Sequence, residues 1–218
     1  MLKTLSSYEV MWQSYYQAAT APGGHRAPMS GKYPFYVLLE AQGAEPESDS
    51  ARFMRVLSRL MEEGVIADAV LPRSETERHA LWAIRENFEH ILAGHPTYLY
   101  DVSLPLREME SYGRAVVAEF ETRWPNGRCL LFGHIADGNL HLFLQPEDAA
   151  ATHADADQVV YQALDGRNGS VSAEHGIGTE KKAWLAACRS PQEIAVMRTL
   201  KQALDPQGLL NRGRVFDL

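Results

Sequence analysis

Residues 128–146, RCLLFGHIADGNLHLFLQP, constrain the fold of this chain more than any other stretch. Two apolar runs flank Asp137-Gly138, a pair suited to a two-residue type I′ turn, so the segment is expected to fold back as a β-hairpin. With that pair at the turn centre, Ala136 faces Asn139, Ile135 faces Leu140 and His134 faces His141. The two imidazoles would then be direct cross-strand neighbours, with Cβ atoms about 4.5–5.5 Å apart. A turn centred on Gly138-Asn139 would slip the register and undo the pairing. Valines would pack better at these positions, so the histidines mark the hairpin as a candidate site.

Around the hairpin, strand and helix patterns alternate. MLKTLSSYEVMWQSYYQAA reads as an amphipathic helix that ends at the Pro/Gly-rich TAPGGHRAPMSGK. YPFYVLLEAQG reads as a strand. PESDSARFMRVLSRLMEEG reads as a helix with Phe53, Leu57 and Leu60 on one face and Gly64 after it. IADAVLP is expected to be a short strand stopped by Pro72. SETERHALWAIRENFEHILAG is expected to be one helix, opened by a Ser74/Glu77 capping box and stopped at Gly94. TYLYDVSLP is a strand with Leu99, Asp101 and Ser103 on one face and Tyr98, Tyr100 and Val102 on the other. REMESYGRAVVAEFETRW, DADQVVYQALDGRNG, TEKKAWLAAC and SPQEIAVMRTLKQALD read as helices. A hairpin inside such an alternation points to an α+β fold, an antiparallel-containing sheet with helices packed on it and ferredoxin-like elements, instead of a doubly wound parallel sheet. With no linker or low-complexity stretch, residues 1–218 read as one domain. Its N-terminal half looks purely structural, and the chemistry gathers after residue 130.

The net charge of −7, from 21 basic and 28 acidic residues, argues against a nucleic-acid partner, since no Lys/Arg-rich run is present to displace counterions. Cys129 and Cys188 form no C-x-x-C unit, which leaves zinc ribbons and thioredoxin-type redox pairs unsupported. Two buried free thiols in a reducing compartment fit better. No signal-peptide core and no run long enough to span a bilayer is found, so a soluble, cytoplasmic protein is expected.

Further along, VSAEHGIGTEKK holds Glu174 and His175 ahead of Gly176-Ile177-Gly178. Such a loop lets backbone come close to a ligand, and it lacks the spacing of a phosphate loop. Two histidines from a hairpin and a carboxylate from a loop suit zinc or manganese, with positions left for substrate or water. His134, His141 and Glu174 are therefore the candidate ligands, with His175 placed to reach a substrate. Incidental charges in a helix-leading loop are the structural alternative.

GHIADGNLHL, SAEHGIG and LDPQGLLNRG in this order, with YVLLE and WAIRE upstream, resemble the C-terminal domain of the FAD-linked oxidase family. The resemblance covers nearly the whole chain, and its three C-terminal motifs are specific in combination. It implies FAD, bound mainly by a flavin-binding domain that precedes this region in the family, and a divalent metal on His134, His141 and Glu174. It also implies that His175 is the general base for a D-2-hydroxy acid and that Arg85 grips the substrate carboxylate. By spacing alone, Arg85 would more often be a surface residue pairing with Glu89. Asn211 matches a residue near the flavin, so Asn211 and Glu174 are the expected cofactor contacts.

The chain departs from that pattern at Leu99, where members acting on dicarboxylates tend to carry Lys, and at Phe143, where they tend to carry Asn. Its tail reads LNRGR in place of L-N-P-G-K. Losing a cation and an amide would leave a second carboxylate unpaired on desolvation, so a monocarboxylic D-2-hydroxy acid is expected, with Leu99 and Phe143 beside its side chain. The isolated chain should not turn over substrate without a flavin-binding domain or subunit, and the face that domain would cover is expected to support a homo-oligomer. Rival readings are a non-catalytic metal- or carboxylate-binding module, a remnant that only associates, and a metal hydrolase.

Overall fold

The computed structural model describes residues 4–93 and 96–218. Strands β1 (Leu5–Trp12), β2 (Phe35–Ala41), β3 (Tyr98–Ser103), β4 (Arg128–His134) and β5 (Asn139–Gln145) form one five-stranded sheet in the order β2-β1-β4-β5-β3. The β1–β2, β1–β4 and β3–β5 pairs are antiparallel. Helices α1 (Gln13–Ala19), α2 (Pro46–Glu62), α3 (Glu75–Glu86), α4 (Glu89–Leu92), α5 (Leu106–Arg123), α6 (His153–Gln162), α7 (Leu185–Cys188) and α8 (Pro191–Leu204) complete the α+β fold expected from the sequence. Among the described residues no helix is long and apolar enough to cross a membrane.

The chain divides into two compact units, residues 1–95 with 132–136 and residues 96–131 with 137–218. In the first, the expected N-terminal helix is instead mostly strand: β1 pairs with β2 from Leu5↔Ala41 to Trp12↔Phe35 and with β4 through Glu9↔His134. Helix begins only at Gln13. Pairing along both edges of a segment that carries Tyr, Val and Trp outweighs its helical periodicity. Tyr16 stacks on Tyr36 at 3.6 Å and Tyr15 on Phe132 at 4.2 Å between ring centroids. Residues 66–72 do not form the expected strand; Val70 and Leu71 stay exposed and no ladder receives them.

The helix expected over residues 74–94 is two helices, broken at Asn87-Phe88 with neither Gly nor Pro to signal it. Ser74 caps α3 by accepting the Glu77 N–H at 3.2 Å, but the Glu77 carboxylate accepts from the Arg73 N–H instead of closing the box on Ser74. The stop expected at Gly94, and Met1–Lys3 of the first expected helix, lie outside the described residues.

The second unit agrees more closely with the sequence reading. Along β3 and β5 the register pairs Leu99 with Phe143, Asp101 with His141 and Ser103 with Asn139, so these six side chains share one face. Tyr100, Val102, Leu140, Leu142 and Leu144 lie on the other, all buried. There Tyr100 donates to Asp157 of α6 at 2.8 Å, while Tyr112 of α5 donates to the Val160 carbonyl at 3.1 Å. The stretch expected as a helix over TEKKAWLAAC is only a 3₁₀ turn, Lys182–Trp184, followed by the single turn α7. Of the two cysteines, Cys129 is buried and Cys188 half-buried, both free thiols. Burial pushes the Cys129 thiol well up.

Candidate active site

The turn that joins β4 to β5 is not the two-residue type I′ turn expected. A type I′ turn needs positive φ at both central residues, and of Asp137 and Gly138 only Gly138 has it, at 73°. Ile135–Asp137 form a 3₁₀ turn instead, and β5 starts at Asn139. Leu104 sets this path: its N–H donates to the Gly138 carbonyl at 2.8 Å, and a Cβ on Gly138 would meet the Leu104 carbonyl oxygen at 2.7 Å. Asn139 therefore opens β5 as a buried side chain beside the Glu174 loop.

In the second unit the loop carrying Glu174 and His175 is attached to β3 by a two-way backbone bridge between Ser103 and Ser170, at 3.1 and 2.8 Å. Gly169 allows the approach, since a Cβ there would meet the Ser103 carbonyl oxygen at 2.8 Å. Asp101, 1% exposed, organises the rest of the loop. Its Oδ2 accepts the backbone N–H groups of Ala173, Glu174 and His175 at 2.9, 2.7 and 3.1 Å. Its Oδ1 takes the Lys181 ammonium and lies 3.1 Å from His175 Nδ1. Burial opposes ionisation of this carboxyl most strongly, yet the Lys181 ammonium and the Glu174 and His175 N–H groups overcome it and hold the group below the usual carboxylate range.

Nδ1 of His175 is turned to Asp101, and the side chain is 69% exposed. Glu174 and His141 each offer a ligand atom, and those atoms lie within 4.8 Å of each other. Asn139 Nδ2 donates to Glu174 Oε1, while Asn139 Oδ1 is buried without a hydrogen-bond partner among the described residues. An imidazole and an amide-oriented carboxylate converging this closely fit a divalent cation by donor chemistry. Leu99, 52% exposed, and buried Phe143 lie on the same sheet face as His141.

The first unit holds two further sequence candidates, Arg85 and His134. Arg85 is not the surface residue paired with Glu89 that its spacing suggests. It is 5% exposed, donates through Nε to Glu9 Oε2 at 2.8 Å and stacks 4.6 Å above the Phe132 ring. Its Nη2 lies 3.4 Å from His134 Nε2, and His134 Nδ1 lies 2.6 Å from Glu9 Oε1. Of this cluster, Glu9 is the side chain that the sequence reading missed. Glu9 lies within the stretch expected as a helix, and its only signal was a carboxylate amid the apolar run YEVMW.

Asn211 sits in the exposed tail at φ 45°, its carbonyl accepting from the Arg214 N–H at 3.1 Å. Among the described residues none of its hydrogen bonds reaches the Asp101 cluster. The tail is tied to the loop after His175 by the Val215 N–H on the Gly178 carbonyl at 2.8 Å and by Lys182 on Asp217 at 2.6 Å.

Comparison with known proteins agrees with these motifs. The family described as "FAD linked oxidases, C-terminal domain" matches residues 2–215. The chain belongs to this family. It is 38% identical over 200 residues to a D-2-hydroxyglutarate dehydrogenase of Xanthomonas citri pv. viticola, covering 89% of this chain and 42% of that protein. To the D-2-hydroxyglutarate dehydrogenase of Stutzerimonas stutzeri it is 30% identical over 218 residues, covering 97% of this chain and 47% of the relative. A mitochondrial D-2-hydroxyglutarate dehydrogenase of Bos taurus is 34% identical over 212 residues, with coverages of 95% and 38%. The chain thus spans less than half the length of these relatives.

Proposed function

We propose that this FAD-linked oxidase domain is the substrate- and metal-binding part of an FAD-dependent dehydrogenase that converts a D-2-hydroxy monocarboxylic acid to its 2-oxo acid. The observation that carries the reading is the His175–Asp101 pair at 3.1 Å, on a loop that also sets Glu174 beside His141. Asp101 holds the imidazole with Nδ1 as donor, so Nε2 can take the substrate hydroxyl proton. The hydroxyl carbon becomes a carbonyl as its hydrogen leaves with the electron pair. A zinc or manganese ion on His134, His141 and Glu174 would polarise the hydroxyl, and a flavin held by a flavin-binding domain or subunit would accept the hydride. Arg85 retains guanidinium donors beyond the Nε used on Glu9, and these suit a substrate carboxylate.

The monocarboxylate preference rests on Leu99 and Phe143, two apolar side chains that face each other across β3 and β5. The relatives named for D-2-hydroxyglutarate make this a sharp test. In the chain joined to a flavin-binding domain, D-lactate-like acids should exceed D-2-hydroxyglutarate in kcat/KM, and Leu99→Lys should shift the ratio toward D-2-hydroxyglutarate by about tenfold or more, the scale of one buried charge pairing. D-2-hydroxyglutarate emerging as the best substrate of the unaltered protein overturns the preference. Turnover undiminished in His175→Ala overturns the assigned base.

A further inference from the structure

We infer that Glu9 is a positioning residue, which fixes the ring of His134 with its proton on Nδ1 and at the same time holds the Arg85 fork against that ring. The inference deepens the metal reading above and rests on it. It is carried by geometry inside the first unit alone. Glu9 and His134 are register partners on β1 and β4, so the backbone ladder brings the carboxylate and the imidazole to the same height on one face. One carboxylate oxygen, Oε1, lies 2.6 Å from His134 Nδ1, and the other, Oε2, accepts from Arg85 Nε at 2.8 Å.

Glu9 is 5% exposed, and an unpaired carboxylate at that depth would be strongly disfavoured. Loss of Arg85 would leave that charge buried and unpaired. A carboxylate only accepts, so the imidazole nitrogen that faces it must carry the proton. The ring's lone pair is thereby assigned to Nε2, on the side where the Arg85 guanidinium lies at 3.4 Å. Arg85 in turn is kept from swinging by its stacking on Phe132 at 4.6 Å. The same carboxylate thus sets which nitrogen of His134 can ligate a metal and where a substrate-binding guanidinium stands. An outer carboxylate on a ligating histidine is a recurrent device for fixing its tautomer.

Two measurements on the purified full chain test the assignment. In the metal-free chain, long-range ¹H–¹⁵N correlation of the imidazoles should show His134 protonated at Nδ1; a ring protonated at Nε2 overturns the proposal. In Glu9→Gln the side-chain oxygen must still accept from Arg85 Nε, so the amide NH₂ turns toward His134 and drives its proton to Nε2. Zinc affinity, read by competition with a chelator, should fall about 10–100-fold while the far-UV circular dichroism is unchanged. Equal zinc affinity in a folded Glu9→Gln chain also overturns it. Should Glu9→Gln fail to fold, the tautomer in the unaltered chain decides. Absence of zinc binding by the unaltered chain would overturn the metal reading itself, whereas an Nδ1-protonated His134 in that same sample still upholds the role of Glu9.

Discussion

Glu9 in the first unit and Asp101 in the second are both buried carboxylates, and they are compensated in different ways. Asp101 accepts three consecutive backbone N–H groups and one ammonium, so its charge is distributed over a stretch of main chain. Glu9 accepts from two side chains, Arg85 and His134. The first arrangement gives a loop its shape as well as facing the His175 ring, and the second acts on side chains. Loss of a carboxylate that organises backbone should be felt first in stability, and loss of one that organises side chains mainly in ligand binding.

The largest effect should separate them directly. Asp101→Ala leaves Lys181 without its counter-charge and three loop N–H groups without an acceptor, which should reduce stability by about 3–5 kcal/mol. Urea denaturation measures this. Hydrogen exchange at Ala173, Glu174 and His175 should accelerate in Asp101→Ala and stay at its native rate in Glu9→Gln. Faster exchange of that loop in Glu9→Gln would break the distinction.

A smaller effect is expected at Asn139, which orients Glu174 without carrying charge. Asn139→Ala should weaken zinc binding by about tenfold, the low end for an outer-sphere partner, with thermal stability changed less than in Asp101→Ala. Calorimetric titration would show it. An unchanged affinity would mean that Glu174 is oriented by the Asp101-bound backbone alone.

The smallest effect concerns acid. Asp205 is pushed down to about 2 by the Lys201 ammonium first and then by the N–H groups of Leu209 and Leu210; Asp101 is lowered as well. For a carboxyl whose folded value lies below its unfolded value, the stabilisation is complete above the unfolded value of about 4 and disappears as pH falls through the folded one. The turn over residues 205–210 should therefore hold at pH 5 and loosen progressively from about pH 4 down to pH 2. Amide chemical shifts of Leu209 and Leu210 would report it, and a loosening already complete at pH 4 would contradict the assigned direction.

Much of the second unit was legible in the sequence because its signals are local. Alternation along TYLYDVSLP set the Leu99, Asp101 and Ser103 face, and the β3–β5 register agrees with it. The E-H pair before two glycines marked the loop that the fold sets against Asp101. What was missed depends on distant partners. β1 looked helical because nothing nearby in the chain announces that β2 and β4 will pair with it on both edges. The break at Asn87 has no glycine or proline to betray it. Glu9 became visible only once the β1–β4 ladder placed it opposite His134. Even the turn at Asp137-Gly138 is set by a contact with Leu104 and not by its own dipeptide.

β4 is one unbroken strand, yet Arg128–Leu131 belong to one compact unit and Phe132–His134 to the other. An early stop after residue 95 would strip Tyr15 and Arg85 of the Phe132 ring and Glu9 of its imidazole. A split after residue 95 therefore does not yield an intact first unit. Chimaeras between relatives should be poorly tolerated when a crossover parts Glu9 from His134.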